Sequence, residues 1–157
     1  MERERMRVLI QSLVKVYTSF RLLIQQNMGI IDEDITLEML HVLIALWRKD
    51  GINQQELADR IFKDKSSLSY LLTNLEKRNL IERLTDPLDR RNKLIKLTTK
   101  GFDLKAKYAP FIDGILDDLV LKMSPDDVKE YIDQLVSLDG IITEIAKERA
   151  EDKSISK

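Results

Sequence analysis

Residues Asp86-Pro87-Leu88-Asp89-Arg90-Arg91-Asn92-Lys93-Leu94-Ile95-Lys96-Leu97-Thr98-Thr99-Lys100-Gly101 decide how this chain is read. Asp-Pro followed by Asp is turn chemistry, because proline fixes φ and aspartate carboxylates bond nearby backbone amides. Leu80-Ile81-Glu82-Arg83-Leu84 lies before the turn and Lys93-Leu94-Ile95-Lys96-Leu97 after it, each suited to one strand of a hairpin. The hairpin is either a solvated surface turn or a wing whose Arg90 and Arg91 reach a polyanion. Two short helical patterns immediately upstream favour the wing.

The first of those patterns is Asn53-Gln54-Gln55-Glu56-Leu57-Ala58-Asp59-Arg60-Ile61. Asparagine followed three places later by glutamate is a variant capping box, so a helix is predicted to begin at Gln54. Phe62-Lys63-Asp64 breaks the pattern. Ser66 and Ser67 then open a second helix, with Leu68, Leu71, Leu72 and Leu75 on its buried face and Lys65, Ser66, Ser69, Tyr70 and Thr73 outward. Asn79 stops it in the left-handed conformation. The outward face is polar, built of small hydroxyls and free of acid until Glu76. Short hydroxyl side chains let a helix approach a groove floor closely, while longer donors reach bases or phosphates. Two short helices joined by a tight break form the helix-turn-helix pattern, and the hairpin completes a winged helix.

Charge supports this division. The net charge of the 157 residues is −1, but residues 1–59 carry −2, residues 60–107 carry +7 and residues 108–157 carry −6. A basic middle between acidic flanks suits a polyanion-binding segment. The absence of cysteine excludes disulfides, thiolate metal sites and thiol redox sensing by this chain, and a single histidine, His41, leaves no basis for a histidine-rich zinc site. No metal and no cofactor is expected. With no run of about twenty apolar residues and a charged start, the chain reads as a soluble cytoplasmic protein without a membrane partner. Catalysis is not expected either. Asp117-Asp118 and Asp126-Asp127 read as solvated or capping carboxylates, and His41 has no recognisable nucleophile or metal partner.

The flanks are helical. From Glu4 to Met28, Met6, Leu9, Ile10, Leu13, Tyr17, Phe20 and Ile24 recur at helical spacing, and Val8, Val16, Leu22 and Leu23 widen the stripe. That breadth predicts a central position or a partner chain, and a dimer interface is favoured. Gly29 to Asp34 reads as a loop, and Thr36 caps a helix through Leu40, Leu43, Ile44 and Trp47 that ends at Lys49-Asp50-Gly51. Thr98 caps a helix running through Phe102, Leu104, Tyr108 and on to Leu119, which Pro110 interrupts and should kink. Ser124-Pro125-Asp126-Asp127 starts the last helix, and the tail from Glu151 to Lys157 should fray. The fold class expected is mainly α with a minor β part. It comprises a winged helix-turn-helix over residues 36–100 with a two-stranded wing, flanked by dimerisation helices over 1–30 and 101–150 of one continuous chain.

These residues resemble the multiple-antibiotic-resistance regulator (MarR) family of winged-helix repressors. The resemblance is most specific at Asp86-Pro87-Leu88-Asp89-Arg90-Arg91 and Leu97-Thr98-Thr99-Lys100-Gly101. It extends over Gln55-Glu56-Leu57-Ala58, Asp64-Lys65-Ser66-Ser67-Leu68-Ser69 and Leu75-Glu76-Lys77-Arg78-Asn79-Leu80-Ile81-Glu82-Arg83. It implies a homodimer with intertwined terminal helices, two winged helices on a pseudo-palindromic operator in double-stranded DNA, and transcriptional regulation, most often repression. Carried over, recognition contacts fall on Lys65, Ser66, Ser67, Ser69, Tyr70 and Thr73. Arg91 takes the minor-groove role, oriented by Asp89 with Arg90 beside it. Phosphate contacts are expected from Lys63, Lys65, Arg83, Lys93 and Lys96.

The family pattern also implies a small aromatic or anionic effector. A cleft between the first two helices and the helix around Pro110, containing Tyr17, His41 and Trp47, is the expected site. Three positions depart from the pattern: Tyr70 stands where arginine is common, Asn79 where glycine is common, and Phe62 where a small residue is usual. A rival reading is a winged helix used as a protein-interaction module through its acidic terminal helices.

Overall fold

The computed structural model describes residues 1–31 and 34–155. In chain order the elements are α1 (Glu2–Ile31), α2 (Leu37–Arg48), β1 (Ile52–Asn53), α3 (Gln54–Arg60), α4 (Lys65–Lys77), β2 (Ile81–Thr85), β3 (Lys93–Leu97), α5 (Thr99–Lys122) and α6 (Pro125–Ile155). The fold is mainly helical with one small antiparallel sheet. Two compact units divide it, Met1–Ala109 and Pro110–Lys157.

Helix boundaries in the first unit follow local capping chemistry. Thr36 Oγ1 accepts the Met39 N–H at 3.2 Å and starts α2, and Asn53 Oδ1 accepts the Glu56 N–H at 2.9 Å and starts α3. The Glu56 carboxylate goes to Lys49 (2.7 Å) and Arg60 (2.9 Å). Helix α4 begins at Lys65, not at the serines. Its cap is Asp64, because a carboxylate satisfies several donors of the first turn at once. At the other end Asn79 takes φ +57°, with its N–H on Glu76 O (2.9 Å) and the Leu80 N–H on Leu75 O (3.0 Å). That is a Schellman stop.

The expected loop from Gly29 is instead the end of α1, which stays helical to Ile31, while Asp32 and Glu33 lie outside the described residues. Burial of Met28 anchors this last stretch, and one helical glycine costs only about 1 kcal/mol relative to alanine.

The sheet has three strands in the order β1-β3-β2, one more than the hairpin alone would give. β2 and β3 pair from Ile81↔Leu97 to Thr85↔Lys93, and β1 adds Ile52↔Ile95 and Asn53↔Leu94. β1 occupies the free edge of β3 just before the Asn53 cap. The core of this unit is the inward leucine row of α4 (Leu68, Leu72, Leu75) against Leu40, Val42, Leu43 and Leu46 of α2, Leu57 of α3, and Ile81 and Ile95 of the sheet.

Helix α5 leaves this core through a close approach at Gly101. Thr98 caps the helix through the Gly101 N–H (3.1 Å), while its own N–H reaches Leu80 O (3.1 Å) and its hydroxyl reaches Asn79 O (2.6 Å). A Cβ added at Gly101 would lie 2.0 Å from Leu80 O, closer than any real contact. Tyr108 of the same helix is fully buried beside Trp47, with ring centroids 6.3 Å apart. Pro110 does not interrupt α5: it removes one donor from the ladder, yet the helix is continuous to Lys122. The boundary between the two units falls at that proline.

In the second unit, Ser124 Oγ accepts the Asp127 N–H (3.1 Å) and starts α6, which extends to Ile155. The tail is therefore helical well past Glu151, as expected of the good helix formers Lys147 to Glu151, and only Ser156 and Lys157 lie outside the description. Every buried apolar residue among the described ones lies between Met28 and Tyr108. Val128, Tyr131, Ile132, Leu135, Ile142 and Ile145 of α6 are exposed.

Candidate nucleic-acid interface

The interface is built from the front of α4 and the tip of the β2–β3 hairpin. At the start of α4, Asp64 Oδ1 accepts the Ser67 N–H (2.8 Å) and the Ser66 hydroxyl, and Oδ2 accepts the Ser67 hydroxyl (2.6 Å). These bonds hold the Asp64 carboxyl well below the usual carboxylate range. The Ser66 hydroxyl is the largest cause, followed by the hydroxyl and backbone N–H of Ser67. A donor already given to Asp64 is not available to a phosphate, which only accepts. Ser66 and Ser67 therefore face outward mainly as acceptors, a narrower part than the sequence implied.

A pH dependence follows. The folded-state pKa of Asp64 is depressed, so its contribution to stability is complete above the unfolded value of about 3.9 and fades as pH falls toward the folded value. Asn caps nearly as well as Asp but does not titrate. Urea midpoints measured from pH 6 to pH 3 should fall more steeply for the wild type than for Asp64→Asn; parallel curves would refute this part for Asp64.

On α4, Lys65 is exposed and Tyr70 is 70% exposed, whereas Ser69 and Thr73 are half-buried. Thr73 Oγ1 donates to Ser69 O (2.9 Å) and accepts from Arg83 Nη2 (3.1 Å). Arg83 thus turns from β2 onto the helix, reaching Ser69 O (3.4 Å) and lying 3.6 Å from Glu76. It braces wing to helix. Lys93 similarly spans the hairpin to Thr85 Oγ1 (2.7 Å).

The tip has its own framework. The Asp86 N–H reaches Asn92 O (3.1 Å), Asp86 Oδ1 accepts the Leu88 N–H (2.8 Å), and Asp89 Oδ2 accepts from Asn92 Nδ2 (3.3 Å). Asp89 Oδ1 receives both the backbone N–H of Arg91 (3.0 Å) and its Nε (3.3 Å). The Arg91 side chain remains 91% exposed, so its guanidinium is aimed without being spent. Arg90 is exposed beside it.

The expected effector residues separate. Tyr17 of α1 and His41 of α2 line one cleft of about 440 Å³, together with Ile44 and Arg48 of α2 and Arg60, Phe62 and Lys63 at the end of α3. The wall opposite α2 is the α3–α4 turn, not the helix around Pro110. Trp47 is elsewhere, its indole N–H donating to Gly101 O (3.0 Å), which makes it a structural residue of the α2–α5 contact. Among the described residues no carboxylate lines the cleft. Burial pushes the His41 imidazole below its ordinary value; nearby Glu38 opposes this, and Lys63 and Arg21 add to it.

Among the described residues no group of three or more His, Asp or Glu could hold a metal ion, and no helix is long and apolar enough to cross a membrane. The helix pair α3–α4, the arginine-tipped hairpin and the third strand define a winged helix-turn-helix protein. The MarR family model matches residues 35–93. The chain is 30% identical over 103 residues to the transcriptional regulator HosA of Escherichia coli O111:H-, covering 66% of this chain and 76% of that one. Against the HTH-type transcriptional regulator SarZ of Staphylococcus haemolyticus the identity is 30% over 94 residues, spanning 60% of this chain and 64% of SarZ. Among solved structures, the Staphylococcus aureus MepR–DNA complex superposes with a TM-score of 0.71 at 28% identity, over 84% of this chain and 97% of that chain. The chain belongs to the MarR family. It is a winged-helix transcriptional regulator and not an enzyme.

Proposed function

We propose that the chain is a homodimeric repressor that occupies a pseudo-palindromic operator in double-stranded DNA. The observation that carries this reading lies within one compact unit. An α4 face free of carboxylates from Lys65 to Asn74 accompanies a hairpin that holds Arg91 exposed on Asp89. Lys65 and Tyr70, with the acceptor oxygens of Ser66 and Ser67, would enter the major groove. Arg91 would enter the flanking minor groove with Arg90 beside it, and Lys63 and Lys96 would meet phosphates. MepR, at 28% identity, is known in complex with DNA, which supports the same use here.

Dimerisation is supported by what each flank leaves uncovered. Along α1, Leu9, Ile10, Val14, Phe20 and Leu23 are exposed, and so are Tyr131, Ile132, Leu135, Val136, Ile141 and Ile142 of α6. Long helices with open apolar faces of this extent are stable in water only when another chain covers them. Two copies would read half-sites about 34 Å apart, or a multiple of that spacing. A small aromatic or anionic effector in the cleft of Tyr17 and His41 would release the DNA, provided that it binds the DNA-incompetent state more tightly. Sedimentation of the protein alone and with a promoter duplex tests the assembly. The expected species are a dimer of the 18.3 kDa chain and two chains per duplex; a monomer at micromolar concentration would contradict it.

A further inference from the structure

Two helices of the first unit end in the same motif with different residues at its left-handed position. In α4 it is Asn79 at φ +57°. In α3 it is Phe62 at φ +54°, with the Phe62 N–H on Asp59 O (3.4 Å) and the Lys63 N–H on Ala58 O (3.1 Å). Asparagine visits this conformation readily, because its short polar side chain bonds locally, whereas a bulky side chain there is strained. Strain of this kind persists when the side chain gains burial in return, but Phe62 is 94% exposed. Packing within the unit therefore supplies no reason for an aromatic ring at this turn.

Its surroundings do. Phe62 lines the cleft with Tyr17 and His41, and with Arg48, Arg60 and Lys63. Arg60 is paired with Glu56, which leaves Arg48 and Lys63 as the cations facing the space. We infer that Phe62 is a ligand-contact residue whose ring closes on a planar aromatic anion held in this cleft. The anionic group meets Arg48 and Lys63 while its flat face lies between the rings of Tyr17 and Phe62. This rests on the reading of the cleft as an effector site given above. Phe62 precedes the Asp64 cap of α4 by two residues, so a ligand that draws the ring inward pulls directly on the front of the recognition helix.

The probe is 8-anilinonaphthalene-1-sulfonate, titrated by fluorescence into the full-length wild type, Phe62→Asn and Phe62→Tyr, with thermal melts of each. Phe62→Asn makes the end of α3 like that of α4, so it should melt at or above the wild-type temperature yet bind the probe roughly three- to tenfold more weakly, the worth of one aromatic contact. Phe62→Tyr should keep the wild-type affinity, and probe-driven release of a promoter duplex should be blunted only in the Asn variant. Equal probe affinity in the wild type and Phe62→Asn would overturn the assignment of Phe62 while leaving the cleft as a site. Failure of the wild type to bind the probe, with duplex binding intact, would remove the effector reading and this inference with it.

Discussion

Gly101→Ala should be the most destabilising single methyl addition in the first unit. A Cβ at this position would stand 2.0 Å from Leu80 O and 2.9 Å from the Leu80 carbonyl carbon, both backbone atoms that no rotamer change can move aside. Leu80 is itself fixed: its carbonyl accepts the Thr98 N–H, its N–H closes the α4 stop, and its side chain is buried. On the other side, the Gly101 carbonyl accepts the Trp47 indole N–H. Relief requires α5 to shift away from the α4–β2 junction, which breaks that bond and the Thr98 cap together. A loss of about 3 kcal/mol is expected, at the upper end for overpacking, which for a protein of this size lowers the melting temperature by roughly 6–12 °C. Urea or thermal unfolding followed by circular dichroism measures it; a melting temperature within a degree of the wild type would show that the approach is looser than described.

Arg91→Ala should do the opposite, leaving stability untouched and removing affinity for DNA. The side chain is almost wholly exposed and its one ion pair, to Asp89, is exposed too, so the folded state loses little with it. Its predicted value lies in the narrow minor groove, where a guanidinium is attracted by concentrated negative potential. Fluorescence anisotropy on a promoter duplex should show a loss of roughly five- to 150-fold, corresponding to about 1–3 kcal/mol for a base-reading arginine. The loss should be larger when the flanking steps are A·T-rich than when they are G·C-rich. Asp89→Ala should fall between, because it frees the guanidinium without deleting it. Unchanged affinity for Arg91→Ala would mean that the hairpin tip does not touch the duplex.

The features legible in the sequence are those whose causes are local. Thr36, Asn53, Thr98 and Ser124 each carry a side chain that satisfies a backbone N–H within a few residues, Asn79 tolerates the left-handed φ that ends α4, and all five lie at helix ends in the structure. The leucine row of α4 and the Asp89–Arg91 geometry are equally short-range. What escapes a sequence reading depends on distant partners. β1 is two residues long and exists because β3 offers an edge. The need for glycine at 101 is set by a carbonyl 21 positions earlier. The sequence shows Arg83 and Lys93 as cations in a basic segment, but not that the first also reaches Ser69 O and Thr73 and the second Thr85. Trp47 lies outside the Tyr17–His41 cleft for the same reason, since its partners are Gly101 O and Tyr108, far along the chain. Asp64 is legible too, because an aspartate one residue ahead of Lys-Ser-Ser offers two oxygens to the several donors of the first turn.

Hydroxyl-radical footprinting of the purified protein on its own promoter region is the most direct test of the operator reading. Two protected half-sites related by an inverted repeat should emerge, centred about one helical turn or a multiple of it apart, each with minor-groove protection at its outer flank that disappears in Arg91→Ala. Uniform, sequence-independent protection, or none at physiological salt, would contradict it and leave a winged helix that serves another kind of partner.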